Sequence, residues 1–347
     1  MPYHSALRKE MHLMSEITAV GVIGCGRMGR LHTRVYSQMP NVKLVGVYDS
    51  FAANAKSVAE QFQCRAFDSA RELISQVQAV TIATPTVNHL EVAKACFAAK
   101  VACLIEKPLA PSVEQCRQIV QLARENNVAL QVGHVERFNP AIRALAKLQL
   151  TPKFIETIRV SPLTFRSIDV GVVLDVMIHD IDIVLSLVNS PVRDVQASGV
   201  SVIGSSEDVC NARVTFENGC VAILNGSRMA LRMDRRLRVA TADAWVAVDY
   251  AKKQGIIWRR SDNVDAIRQT VAKVRSGEIT DPTKLNYGEM LKMEQLHIED
   301  IEPLRAEQDA FINAVVSGTR PVVSGEDAMA AVELAERIVK AMGSTTI

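Results

Sequence analysis

The chain has 347 residues, 48% hydrophobic and 5% aromatic, and a formal net charge of +2. That length suits two domains with sizeable cores, whereas balanced charge and few aromatics exclude a nucleic-acid binder built on a basic patch. No apolar stretch is long enough to span a membrane, and seven scattered cysteines without a C-x-x-C pair fit free thiols in a reducing cytoplasm and supply no metal-ligand spacing.

Residues 1–16 carry charge and no apolar signal core, so they read as a flexible tail or an extension ahead of the true start. A short apolar strand, 19–23, then runs into Gly24-Cys25-Gly26-Arg27-Met28-Gly29, the G-x-G-x-x-G pattern that opens a helix. A second strand, 43–48, ends on Asp49, about twenty residues beyond the last glycine as a βαβ dinucleotide site requires. Gly24 would allow the tight turn, Gly26 would let backbone N–H groups of Arg27 and Met28 approach a pyrophosphate, and Gly29 would let helix and strand pack closely. The Asp49 carboxylate would accept hydrogen bonds from ribose hydroxyls and repel a 2′-phosphate, which favours NAD over NADP.

A helix over 53–63 and a strand over 79–83 follow. That strand ends in Thr84-Pro85, with His89 opening a helix over 89–99. Thr84, Pro85 and His89 either border the cofactor or form a turn capped by Thr86 or Asn88. The next strand, 102–105, leads into Glu106-Lys107-Pro108. There Lys107, held between a glutamate and a proline, either meets a reacting hydroxyl or is an ordinary surface lysine. A helix over 112–126, with Ser112 as its cap and Gln115 at the third position, and a strand over 129–132 complete a doubly wound parallel sheet over residues 17–136.

Beyond residue 137 the rhythm changes, and 137–347 is expected to be a single α+β domain. A strand over 154–161 and a helix over 174–187 precede strands over 195–202, 211–216, 220–225, 238–239 and 245–250, with Glu217-Asn218-Gly219 as a hairpin turn. Consecutive strands without helices imply an open, mostly antiparallel sheet. Segment 259–300 is ambiguous, and two helices, 304–316 and 326–342, end the chain. On the 174–187 helix, Asp175, His179 and Asp182 fall on one face within an apolar surround. His179 either exchanges a proton with a hydroxyl, with Asp175 orienting its ring, or is a satisfied core histidine behind an Asp175 cap. Arg228, Arg232, Arg235, Arg236 and Arg238 crowd one strand region, as either a diphosphate site or a solvated basic edge.

The Gly24–Gly29 loop, Ala83-Thr84-Pro85, Glu106-Lys107-Pro108 and the Asp175…His179 helix together resemble the glucose-fructose oxidoreductase / inositol dehydrogenase / MocA family of nicotinamide-dependent dehydrogenases. The resemblance implies a Rossmann domain followed by a substrate-binding α+β domain. It also implies Lys107, Asp175 and His179 in one site beside the nicotinamide, and a homodimer or homotetramer formed through the C-terminal sheet. The segments 132–140, 175–182 and 225–228 are similar to the branch that oxidises the 3-hydroxyl of UDP-N-acetylglucosamine, ahead of an aminotransferase on the route to amide-linked lipid A. Gly171-Val172-Val173 departs from the glycine pair common before the helix.

What the resemblance implies chemically is hydride transfer from a sugar carbon to NAD, with no metal. His179 would act as base, Asp175 would orient it and Lys107 would steady the alkoxide; the reverse assignment of base stays open. Arg137, Asn139 and Arg228 are expected at the sugar or phosphate, and Glu106 beside the cofactor. The alternatives are a free sugar or inositol as substrate, or a non-catalytic NAD sensor on the same fold.

Overall fold

The computed structural model describes residues 17–163, 170–203, 205–261, 263–281, 285 and 290–343. The tail expected at 1–16 lies outside them. The chain forms two compact units. One runs to Phe138 and takes back Ile301–Lys340; the other is Asn139–Asp300 with the chain end.

In the first unit, β1 (Thr18–Ile23), β2 (Val42–Tyr48), β3 (Arg65–Ala66), β4 (Ala79–Ile82), β5 (Ala102–Glu106) and β6 (Leu130–Gly133) form one sheet in the order β3-β2-β1-β4-β5-β6. Every pairing is parallel. Strands such as β4 and β5 are buried at every position because helices cover both faces. The connecting helices are α1 (Arg27–Tyr36), α2 (Ala52–Phe62), α3 (Ala70–Ile74), α4 (His89–Ala98) and α5 (Val113–Asn126). The Ser112 hydroxyl caps α5 by accepting from Gln115 N–H, as its sequence position implies.

Helix α6 (Pro140–Lys147) opens the second unit. There β7 (Phe154–Val160), β8 (Val192–Val200), β9 (Val209–Phe216), β10 (Val221–Ser227), β11 (Asp234–Ala240), β12 (Ala244–Asp249), β13 (Gln254–Arg260) and β14 (Leu291–Gln295) form the second sheet. Its order is β14-β13-β12-β11-β7-β10-β9-β8, antiparallel except for the β7–β10 pair. The expected hairpin joins β9 to β10, with Gly219 at φ +80° and its N–H on the Phe216 carbonyl. Alternation along β10 and β12 buries one face; a π-helix (Val173–Met177) and α7 (Ile178–Val188) cover β7 and β10, and α6 packs on β12. The ambiguous segment 259–300 contributes α8 (Val264–Arg275) and β14.

The expectation of one domain over 137–347 is corrected by the two C-terminal helices, α9 (Pro303–Ser317) and α10 (Gly325–Met342). Phe311 and Ile312 of α9 are buried in the same core cluster as Val20 and Val35. The Gln131 side-chain amide donates to the Glu307 carbonyl at 2.9 Å. Apolar burial at this scale outweighs sequence distance, because closing a long loop adds little entropy cost.

Candidate active site

The glycine loop lies at the carboxyl end of β1. Gly24 takes φ +96°, and its N–H bonds the Tyr48 carbonyl at 2.8 Å. A Cβ on Gly29 would stand 1.7 Å from the Gly24 oxygen, so a side chain there has no room. Gly26 differs: a Cβ there would meet nothing within 4 Å, although Gly26 opens α1. No side chain caps this N-terminus and no acidic residue occupies its first turn, so its N–H groups remain available to an anion.

Asp49 closes the loop. Its Oδ2 accepts from Cys25 N–H at 2.7 Å and its Oδ1 from Phe51 N–H at 2.8 Å. Each oxygen keeps a second lone pair for a hydroxyl donor. The Cys25 thiol beside it, pushed up to about 12 chiefly by burial, is not a nucleophile. Thr84, at the end of β4, holds a buried Oγ1 with no partner among the described residues, and Pro85 is exposed next to it. Open space over Gly26, an uncapped helix start, spare carboxylate lone pairs and an orphaned hydroxyl fit a dinucleotide.

Two residues expected at the cofactor have other work. His89 is buried, with Nδ1 3.1 Å from the Leu109 carbonyl and Nε2 3.0 Å from the Thr84 carbonyl. Burial lowers its pKa, against those carbonyls. The ring braces the loops after β4 and β5 and contacts backbone on both sides. Glu106 is also buried, accepting from His32 Nε2 at 2.7 Å and from Lys107 N–H at 3.2 Å. Lys107 itself is half-buried, next to a cis peptide with Pro108. Among the described residues no cluster of His, Cys, Asp and Glu has the makings of a metal site.

In the second unit the helix expected over 174–187 begins as the π-helix, and Asp175 lies within it. Isolated π turns are rare and concentrate at functional sites. Asp175 and His179 are half-buried, while Asp182 is buried at 1% exposure, so the expected three-residue face divides. Sequence reasoning missed Asp180. Its Oδ1 accepts from Arg159 Nε at 2.9 Å, from the Arg159 terminal nitrogen at 2.7 Å and from Tyr250 OH at 2.6 Å. Glu207 was missed too: its Oε1 takes the Val173 N–H at 3.1 Å and its carbonyl the Val172 N–H at 2.9 Å, capping the π-helix.

Arg228 is corrected as a phosphate contact. It is buried, with Nε on Asp208 Oδ1 at 2.6 Å and a terminal nitrogen on the Val170 carbonyl at 2.7 Å. Asn139 is corrected likewise: it caps α6 through Ala141 N–H at 3.1 Å and donates to the Tyr250 carbonyl at 3.3 Å. Arg236 pairs with Asp234, and Arg238 pairs with Glu156. The expected solvated edge is corrected: β11, which carries Arg235, Arg236 and Arg238, pairs with β12 on one side and β7 on the other, and two of its guanidinium groups are held by those carboxylates. Arg137 sits half-buried on the 3₁₀ turn after β6.

Comparison with known proteins agrees with this geometry. Residues 18–134 match the oxidoreductase family with an NAD-binding Rossmann fold, and residues 162–247 match the GFO/IDH/MocA C-terminal domain. The chain is similar to UDP-N-acetylglucosamine 3-dehydrogenase of Acidithiobacillus ferrooxidans, 38% identical over 69% of this chain and 76% of that one. It is also similar to inositol 2-dehydrogenase of Rhizobium meliloti, 25% identical over 93% and 96%. A solved structure of the Acidithiobacillus enzyme superposes with a TM-score of 0.83 at 32% identity, covering 93% of this chain and 97% of that one. The chain therefore belongs to the GFO/IDH/MocA family and is an NAD-binding oxidoreductase.

Proposed function

We propose that this protein is a sugar dehydrogenase that oxidises a secondary ring hydroxyl, the 3-hydroxyl of UDP-N-acetylglucosamine, to the 3-keto sugar. The observation that carries the reading is near full-length similarity to the Acidithiobacillus enzyme of that name, in a chain that carries Lys107, Asp175 and His179. NAD, when bound, accepts the hydride from the sugar carbon. Backbone N–H groups of the Gly24–Gly29 loop, with Arg27 and Met28, hold its pyrophosphate, and Thr84 and Pro85 border it. Asp49 holds the adenosine ribose and disfavours a 2′-phosphate. His179 takes the hydroxyl proton with Asp175 orienting the ring, Lys107 steadies the oxygen, and Arg137 contacts the sugar. The 3-keto product is a substrate for amine transfer.

The test is NAD reduction across a panel of UDP-sugars, free sugars and inositols. UDP-N-acetylglucosamine should give reduced cofactor, and His179→Ala or Lys107→Ala should lower turnover by about 10²–10⁴-fold. Silence with every UDP-sugar would refute the assignment. Reduction by free inositol alone would support a second reading, favoured by one observation: Arg228 is buried and held by Asp208 and the Val170 carbonyl.

We also infer a homodimer or homotetramer through the second sheet. The sheet face opposite α7 presents Phe154, Val209, Trp258, Leu291 and Met293 at 37–67% exposure, and the Trp245 and Trp258 rings lie 5.3 Å apart, tilted by 39°. An apolar face of this extent suits subunit association. Seven free thiols suit the cytoplasm; among the described residues no helix is long and apolar enough to cross a membrane. Sedimentation of Trp258→Glu should show smaller particles than the parent; identical particles would refute this face as the contact.

A further inference from the structure

The Glu106–Lys107 backbone rests on a buried chain of hydrogen bonds drawn from three distant segments. Gln308 of α9 is fully buried, as is His32 of α1. Gln308 Nε2 lies 3.1 Å from the His32 backbone oxygen and 2.9 Å from His32 Nδ1. Only an amide nitrogen can serve both: turned round, the amide would set its oxygen against a carbonyl. Nδ1 is therefore the acceptor, and the ring proton sits on Nε2, 2.7 Å from Glu106 Oε1. Glu106 Oε2 accepts the Lys107 backbone N–H at 3.2 Å. His89 and Glu307 are the other titratable groups that act on Glu106.

We infer that Gln308 and His32 are positioning residues for Lys107: the amide selects the imidazole tautomer that donates to Glu106, and Glu106 so held fixes the backbone that presents the lysine. The opposite tautomer would set the Nε2 lone pair against a carboxylate oxygen at hydrogen-bond distance, and Glu106 would turn away or take up a proton. Each partner is far away in sequence, His32 by 74 residues from Glu106 and Gln308 by 276 from His32, so no local motif records the chain. The inference rests on the proposed role of Lys107 at the substrate oxygen.

Two measurements on the full chain test it. Nitrogen NMR of ¹⁵N-histidine-labelled protein, with His32 assigned by its loss in His32→Asn, should show a neutral ring protonated at Nε2. An imidazolium or an Nδ1–H tautomer would overturn the inference, whatever Lys107 does. Gln308→Glu replaces the donor with an acceptor, and turnover should fall about 10²-fold, the scale of a small misplacement of a reacting group, with NAD affinity unchanged. It should also move the pH profile of kcat, which packing loss alone would not. Unchanged turnover and pH profile in Gln308→Glu would overturn the inference. If Gln308→Glu does not fold, the labelled parent protein still decides. Lys107→Ala with unaltered turnover would sink the lysine's role and this inference about it while leaving the His32 tautomer as stated, so the two failures are distinguishable.

Discussion

Glu307 presents an unusual energetic situation. It lies on α9 with 0% exposure, and neither carboxyl oxygen has a partner among the described residues. Burial, reinforced by the Glu106 carboxylate, pushes its pKa well above the ordinary value. The folded protein therefore holds Glu307 protonated where the unfolded chain, titrating near about 4.3, has released the proton. For a raised pKa the sign is fixed: the stability contribution is fully present below the unfolded value and is lost as pH rises toward the folded value. Each pH unit in that window removes about 1.4 kcal/mol. Glu307→Gln keeps size and polarity but cannot titrate, so it escapes this loss.

Across pH 5–7 the variant should gain progressively on the parent as pH rises. Titrating groups other than Glu106, which acts on Glu307, are common to both proteins and cancel in the difference. Trp245 and Trp258 both lie in the second unit, so their fluorescence does not report directly on the surroundings of Glu307. Urea unfolding followed by far-ultraviolet circular dichroism at several pH values is the assay. Parallel stability curves for parent and variant across pH 5–7 would refute a neutral buried Glu307.

Three further outcomes follow from the structure. Gly26→Ala should fold normally yet bind NAD poorly, because its Cβ enters open space at the loop, whereas Gly29→Ala should be destabilised because its Cβ strikes the Gly24 oxygen; dye-monitored melting and NAD titration separate them. Asp49→Asn should weaken NAD binding and raise the NADP-to-NAD preference, read as the ratio of the two dissociation constants. Arg159→Leu should cost about 3–5 kcal/mol by leaving Asp180 charged and buried without its ion-pair partner; denaturant unfolding followed by tryptophan fluorescence, which reports on this unit, measures it.

The parts of the fold legible in sequence are those with short-range rules. Strand, glycine turn and helix in the first unit follow from apolar runs, the G-x-G-x-x-G spacing and the Ser112 cap, and the structure places all of them within a residue or two. Strand β13 and helix α8 escaped notice because segment 254–275 carries charge on most turns and buries little. The return of α9 to the first unit was invisible because its apolar face says that it packs, not against which sheet. His89 misled because a histidine at a strand's carboxyl end looks like a ligand contact until the carbonyls of Thr84 and Leu109 are seen around it.

The same distinction divides the site. The proposed catalytic residues Lys107, Asp175 and His179 are half-exposed and stand in compact motifs, each readable along one turn of chain. Three partners outside those motifs show the opposite pattern. Arg159 reaches Asp180 from a neighbouring strand, Glu207 caps the π-helix from 34 residues away, and Gln308 reaches His32 across most of the chain. A buried charge is tolerated only where its partner is supplied in the right orientation, and a compact motif lacks the reach to supply one. Substitutions at these remote partners should therefore perturb chemistry while sparing every residue that a motif search would flag.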